Sequence, residues 1–258
     1  MSRNRHSGRI LDILTRSGRV DVTGLVSQLA ASPATVRREL ARLERQGLLK
    51  RDRGGAQLAV PAMFEPFLSE VTFGSQVKQM AAEKSRIGAL AASFVKDGET
   101  IGISPGTTAT QVARFLQQKS NLMIVTNAVN VAMELSRKRD FKIHLTGGQM
   151  SGDWFALVGA RALDAIPEIK MDYFFFGAGG IDAEHGITDQ HVEEAAVNRA
   201  MAKHARKRVL VADHLKLGRV AKCLVCAARD IEILITDTAA REESIEPLRA
   251  LGLDVRLT

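Results

Sequence analysis

The chain has 258 residues, 45% of them apolar, which suits one large or two modest domains with a real core. With two cysteines and an N-terminus without an apolar run, neither a disulfide scaffold nor a secretory signal is expected, and no stretch is apolar enough to span a bilayer. The formal net charge of +7 lies wholly in Met1–Arg53, where 12 Lys/Arg meet 5 Asp/Glu, whereas the remaining residues carry 24 of each sign. A soluble, cytoplasmic protein with a small basic module on a neutral body is expected. Arginine outnumbers lysine eleven to one in that module, which suits a polyphosphate partner. Trp154 and Tyr173 are the sole residues of their types, too few for a platform that stacks single strands, so the expected partner is double-stranded DNA.

Residues 1–57 read as three helices and a hairpin. Ile10, Ile13 and Leu14 recur at helical spacing over 5–17, and Ser17-Gly18 ends that helix. Val20-Asp21-Val22 is an extended link. Thr23 is placed to cap a second helix that buries Leu25, Val26 and Leu29. Ala31-Ser32 turns the chain, and a third helix starts with Ser32 as N-cap and Pro33 in its first turn, running to about Gln46 before Gly47. At about 100° per residue, Val36, Leu40 and Leu43 share its inner face. Ala34, Arg38, Arg42 and Arg45 point outward, with Thr35 and Arg37 on the flanks.

A dry seam opposed by an arginine face is what the recognition helix of a helix-turn-helix requires. Small residues at its start admit the first turn to the major groove, where Arg37 and Arg38 meet base edges or phosphates. Leu48–Ala56 reads as a tight hairpin, a basic wing carrying Lys50, Arg51 and Arg53. The expected DNA contacts are Ser32, Ala34, Thr35, Arg37, Arg38, Arg42, Arg51 and Arg53. In sequence, Thr35–Leu40 (TVRREL) and Arg51–Ala56 (RDRGGA) closely resemble the N-terminal winged helix-turn-helix of the DeoR family of bacterial transcriptional regulators. That resemblance implies a C-terminal sensor domain similar to ribose-5-phosphate isomerase, read by a phosphorylated sugar or related metabolite.

Residues 58–82 lack a strong period and read as a linker, with Pro61 and Pro66 as breaks and Phe64, Phe67 and Phe73 spaced to dock on the body. A helix is expected from near Ser75 through Phe94, closed by Asp97-Gly98. The body, 83–258, then alternates short apolar runs with amphipathic stretches. Strands are expected at Thr100–Ser104, Leu122–Thr126, Lys142–Thr146, Asp172–Gly177, Arg208–Ala212 and Glu232–Thr236. Helices are expected at about 107–118, 128–138, 159–166, 191–206 and 243–251. Such a pattern gives an α/β domain with a mostly parallel sheet covered on both faces.

In such sheets ligands bind beyond the carboxyl ends of the strands, where this chain gathers its glycines and hydroxyls. Ser104-Pro105-Gly106-Thr107-Thr108 opens a helix whose free N–H groups make a seat for an oxyanion. Asn127, Gly147-Gly148, Gly177–Asp182 and Asp213–Gly218 follow later strands. The segments EKxxIG at 83–88, GTT at 106–108, VTN at 125–127, GG at 147–148, GGIDxxxGIT at 179–188 and DxxKxG at 213–218 resemble the DeoR sensor landmarks. The resemblance implies that Gly106, Thr107 and Thr108 hold a phosphate, and that Asn127, Asp182 and Lys216 meet the sugar portion or its charge. Ser104, Gly147, Gly148 and Gly179 complete the expected effector site. Ser104 replaces the family's usual Asp, and Leu215 its usual Ser, which removes a fixed anion and a hydroxyl from that site. His144–Gly159 is similar to regulators of amino-sugar catabolism, such as N-acetylgalactosamine pathway repressors.

Other signals read as packing. Cys223-x-x-Cys226 lies in a strand-like apolar run without a second pair. His185, Asp189, His191 and Glu194 lack ligand spacing, so no metal and no cofactor are expected. The expected protein is a repressor of a carbohydrate operon, a homodimer or homotetramer gripping two half-sites and responding to a phosphorylated sugar or amino sugar. The alternative is a sugar-phosphate isomerase with an appended head, motivated by Asp182, Glu194 and Lys216 as a possible proton-transfer trio. A purely architectural DNA-bending protein leaves the strand-end loops unexplained.

Overall fold

The computed structural model describes residues 3–17, 19–45, 48–58, 79–151, 154–166 and 169–258. The chain divides into two units, Met1–Ala82 and Glu83–Thr258. The linker prolines and phenylalanines, Ser75 and the expected helix stop at Gln46-Gly47 lie outside the described residues.

The first unit holds α1 (Arg3–Ser17), β1 (Arg19–Asp21), α2 (Val22–Leu29), α3 (Pro33–Arg45), β2 (Leu49–Asp52) and β3 (Gly55–Leu58). Its antiparallel sheet runs β1-β3-β2. Ile10 and Leu14 of α1, Leu25 and Leu29 of α2, and Val36, Leu40 and Leu43 of α3 close one small core. The expected cap of α2 is corrected: Asp21 caps it, accepting from the Gly24 N–H at 2.7 Å, and Thr23 lies inside the first turn. A carboxylate held at extended backbone angles satisfies the orphan N–H better than a hydroxyl two residues later. Ser32 does cap α3, its Oγ accepting from the Thr35 N–H at 3.2 Å. Arg53-Gly54 turns the wing, with Gly54 at φ +95°. At Gly55 a Cβ would lie 2.0 Å from the Val20 carbonyl oxygen, so close pairing with β1 admits only glycine.

The second unit is built on a seven-stranded sheet of order β15-β14-β12-β9-β4-β5-β6, parallel throughout. In chain order the elements are α4 (Ala81–Ser93), β4 (Thr100–Ile103), α5 (Thr107–Leu116), β5 (Met123–Thr126), α6 (Val129–Leu135) and β6 (Lys142–Leu145). A hairpin, β7 (Gln149–Ser151) and β8 (Ala156–Val158), and a short α7 (Ala160–Asp164) precede the central β9 (Met171–Phe176). Then come β10 (Gly180–Asp182), β11 (Gly186–Asp189), α8 (Val192–Lys203), β12 (Ala205–Val211), β13 (Cys223–Cys226), β14 (Ile233–Thr236), α9 (Glu242–Ala250) and β15 (Asp254–Leu257). Phe174, Phe175 and Phe176 are fully buried, as a strand covered on both faces demands.

The six expected strands are present. The sequence pattern did not reveal the β7–β8 hairpin, the three-stranded β10-β11-β13 sheet or the edge strand β15, all of them short. Among the described residues, the helix expected from Ser75 begins at Ala81, after a turn at 79–80. From β4 the chain winds outward through β5 to β6, then returns to β9 and proceeds the other way through β12, β14 and β15. The β4/β9 boundary is therefore the topological switch point, the place at which sheets of this kind bind ligands.

Candidate functional site

In the first unit, α3 presents its polar face as its periodicity requires. Ala34, Arg37 and Arg38 are exposed, while Val36, Leu40 and Leu43 turn inward. Ser32 Oγ and Thr35 Oγ1 lie 2.9 Å apart at its N-terminus. Arg42 leans toward Glu39 at 3.6 Å, and Ser7 Oγ–H donates to the buried Glu39 carboxylate at 2.6 Å, tying α3 to α1. Arg53 is exposed at the wing tip. A groove between the α2 N-terminus, α3 and the wing is lined by Thr23, Pro33, Arg37 and Asp52 among others. Arg51 differs from the other expected contacts. Its guanidinium is engaged with Glu44 of α3 at 2.6 Å, and its backbone N–H donates to the same carboxylate. Those hydrogen bonds hold the Glu44 carboxyl below its usual range.

In the second unit, the β4/β9 switch point is closed by Ser104. Its N–H donates to the Phe175 carbonyl at 3.0 Å, and its Oγ accepts from Gly177 N–H at 3.3 Å. Gly106, at φ +117°, starts α5 without a side-chain cap, leaving the first N–H groups of that helix beside the buried Thr107 and Thr108. Asn127 is fully buried after β5; its Nδ2 donates to the Leu157 carbonyl at 3.1 Å, and among the described residues its Oδ1 has no hydrogen-bond partner. Gly147 and Gly148 form an exposed positive-φ loop after β6. Gly179 donates to the Thr188 carbonyl, and the loop carrying Lys216 is fastened to β10 by Gly218 N–H on the Ile181 carbonyl at 2.8 Å.

Asp182 is drawn elsewhere. One of its oxygens accepts from the N–H groups of Glu184 and His185 and lies 2.9 Å from His185 Nδ1, which makes it the organiser of the β10–β11 turn. Its carboxyl is held low and the His185 imidazole high, chiefly by these hydrogen bonds.

Two further residues of this edge belong to the segments at 83–88 and 213–218. Lys84, in the first turns of α4, and Asp213, after β12, form a buried pair with Nζ and Oδ2 3.8 Å apart. Burial pulls the Lys84 ammonium down, Asp213 opposes this, and Lys216 adds a like charge. Next to them, Asp237 after β14 accepts from the His214 N–H and lies within hydrogen-bond distance of its Nδ1, both at 2.8 Å. No local sequence signal marks Lys84 or Asp213 as buried, because the pair joins segments far apart in the chain.

Among the described residues no group of three or more His, Cys, Asp or Glu is arranged to hold a metal ion, and no helix is long and apolar enough to cross a membrane. Cys223 and Cys226 lie in β13, and burial pushes the Cys226 thiol up to about 12.

Comparison with known proteins accounts for both units. The DeoR-like helix-turn-helix domain matches residues 5–61 and the DeoR C terminal sensor domain residues 79–238. The chain is 32% identical over 249 residues to the HTH-type transcriptional repressor GlcR of Bacillus subtilis, covering 96% of this chain and 94% of that protein. It is 34% identical over 233 residues to the glycerol-3-phosphate regulon repressor of Escherichia coli, covering 90% of each. Among solved structures, ribose 5-phosphate isomerase A of Methanocaldococcus jannaschii aligns over 54% of this chain and 55% of that one, with 14% identity and a TM-score of 0.40. Both matched segments are regulator domains, and the isomerase alternative is not favoured. The chain belongs to the DeoR family, as a DNA-binding transcriptional regulator that carries its own sensor domain.

Proposed function

We propose that this chain is a cytoplasmic repressor of a carbohydrate or polyol-phosphate operon, acting as a homodimer or homotetramer. Its heads place α3 in successive major grooves, with Ser32, Ala34, Thr35, Arg37, Arg38 and Arg42 toward the duplex and Arg53 on the flanking backbone. A phosphorylated sugar, amino sugar or smaller polyol occupies the crevice at the β4/β9 switch point, and its differential affinity for two arrangements of the heads sets the response.

One observation carries the ligand half of this proposal: the buried Lys84–Asp213 pair with Lys216 close enough to perturb it, at the strand ends of a parallel sheet. Asp213 offsets the cost of burying Lys84, and Lys216 adds a second cation at the same edge for an arriving anion. The uncapped start of α5, with Gly106, Thr107 and Thr108, offers the same anion N–H donors and hydroxyls. Ser104, Asn127, Gly147, Gly148 and Gly179 border the crevice, whereas Asp182 acts through the turn it organises. The glycerol-3-phosphate regulon repressor among the relatives supports a phosphorylated polyol as the ligand class.

The test is fluorescence anisotropy on a fragment of the gene's own upstream DNA. Arg38→Ala is expected to weaken DNA binding with little change in ligand affinity. Thr107→Ala and Lys216→Ala are expected to keep DNA binding and lose its response to sugar phosphates. Loss of DNA binding and ligand affinity together in each variant would overturn the division of labour.

A further inference from the structure

On the side of the sheet edge formed by β11 and α8, a buried amide, Asn198, meets a half-buried carboxylate, Asp189. Asn198 of α8 is 4% exposed; its Nδ2 donates to Asp189 Oδ2 at 3.4 Å, and among the described residues its buried Oδ1 has no hydrogen-bond partner. The amide orientation is fixed by chemistry, because a flipped amide would set its carbonyl oxygen against the Asp189 carboxylate. The unmatched atom is therefore an acceptor. A buried acceptor without a donor costs stability, and proteins keep such atoms where something else supplies the proton.

Asp189 ends β11 against Gly179, where an added Cβ would lie 3.3 Å from the Asp189 Cα, and the bulge in the β11–β13 pairing before it places its extra residue, Val225, in β13. One carboxylate oxygen accepts from Gln190 N–H at 2.8 Å and the other from Asn198. Burial pushes this carboxyl up, and Lys216 is among the charges that pull it back. The loop carrying Lys216 is fastened to β10 by Gly218 N–H on the Ile181 carbonyl, and β10 pairs with β11, so Lys216 and Asp189 belong to one edge. That edge carries cationic donors at Lys84 and Lys216 and acceptors at Asp189 and Asn198. A molecule with an anionic end and a carbon skeleton bearing hydroxyl or amino groups satisfies both.

We propose that Asn198 and Asp189 are specificity-determining residues of the sensor site, accepting hydrogen bonds from hydroxyl or amino groups of the ligand's carbon skeleton. This rests on the ligand site proposed above and adds the wall that distinguishes a sugar phosphate from a bare oxyanion.

The test is calorimetric titration of the full-length protein with inorganic phosphate, glycerol 3-phosphate, ribose 5-phosphate and glucosamine 6-phosphate. Wild type is expected to bind at least one hydroxylated phosphate about ten-fold or more tightly than inorganic phosphate. In Asn198→Leu that preference is expected to fall below about three-fold, with Asp189→Asn lowering it part of the way. If Asn198→Leu fails to fold by circular dichroism, Asn198→Ser takes its place with the same expectation. An unchanged preference in the Asn198 and Asp189 variants, with Lys216→Ala abolishing binding, overturns this proposal and leaves the site itself standing. Wild type that binds all four alike also overturns it. If wild type binds none of them, the site falls, and the specificity wall with it.

Discussion

The backbone N–H and the Nε of Arg51 both donate to the Glu44 carboxylate, at 3.0 and 2.6 Å, and so staple the wing to the recognition helix. The sequence suggests that Arg51 contacts DNA, and its engagement with Glu44 offers a second role, setting the wing's angle. The two roles predict opposite signs for Glu44→Ala. If Arg51 positions the wing, Glu44→Ala and Arg51→Ala each weaken operator binding, by about three- to ten-fold, and the double variant is no worse. If Arg51 holds a phosphate, removing Glu44 frees the cation and tightens binding. The slope of log affinity against log salt decides between them, since one lost phosphate contact lowers it by about 0.9. The pair is half-exposed, so its loss should cost the head less than about 1 kcal/mol. Because the Glu44 carboxyl is held low, the staple is complete above the ordinary carboxylate range and is lost as pH falls through the lower folded value.

Ser7 and Glu39 form a second tie, buried where α1 crosses α3. Ser7→Ala removes a donor from a carboxylate shielded from water, which costs about 1–3 kcal/mol. Calorimetric melting should show a lowered transition for the head and an unmoved one for the sensor. A shift shared equally by both would mean that the two units melt together.

Much of this could be read in advance because it is periodic. The seam Val36, Leu40 and Leu43 repeats with the helix, and fully covered strands such as Phe174–Phe176 are short apolar runs, so α3 and the parallel sheet were legible. What escaped was set by pairing. Met150 is exposed and Gly180–Asp182 spans three residues, so β7 and β10 have no pattern to detect until a partner strand fixes them. The sensor edge was half legible for a related reason. Glycines and threonines after strands announce backbone N–H groups, but the Lys84–Asp213 pair joins residues 129 positions apart in chain order, and nothing local marks either one as buried. Asp182 marks the limit of such reading, because a carboxylate that organises a turn and one that meets a ligand look alike in sequence.

The Asp182–His185 contact carries a pH signature. The Asp182 carboxyl is held below its usual value, so its contribution is present above the ordinary carboxylate range and lost as pH falls through the lower folded value. The His185 imidazole is held above its usual value, so its contribution is complete below the ordinary imidazole value and lost as pH rises through the higher folded one. The turn is therefore best held between about pH 4 and 6.5. An NMR titration of wild type should find His185 above the usual imidazole value, and Asp182→Asn should return it there. Ligand-driven release from DNA should weaken by less than about three-fold in Asp182→Asn, in contrast to its abolition in Lys216→Ala. Abolition in both would restore Asp182 to the ligand site.

The Lys84–Asp213 pair sets stability against function. Both groups are almost fully withdrawn from water and 3.8 Å apart, a geometry in which desolvation rivals attraction. Lys84→Met alone leaves the Asp213 carboxylate buried with its cation removed, which should lower stability by about 3–5 kcal/mol. Asp213→Asn added to it removes that charge while keeping a side-chain oxygen for the Leu215 N–H, which Asp213 now accepts at 3.2 Å. The double variant should therefore recover most of the loss, and its urea midpoint should lie close to that of wild type. Its DNA binding should persist, because the basic head is untouched. Its response to sugar phosphates should be absent, because the buried cation has gone from the strand ends. A double variant that is stable and still released from DNA by sugar phosphates would show that the pair only holds α4 to the sheet edge, and the anion seat would then fall to Lys216 and the start of α5 alone.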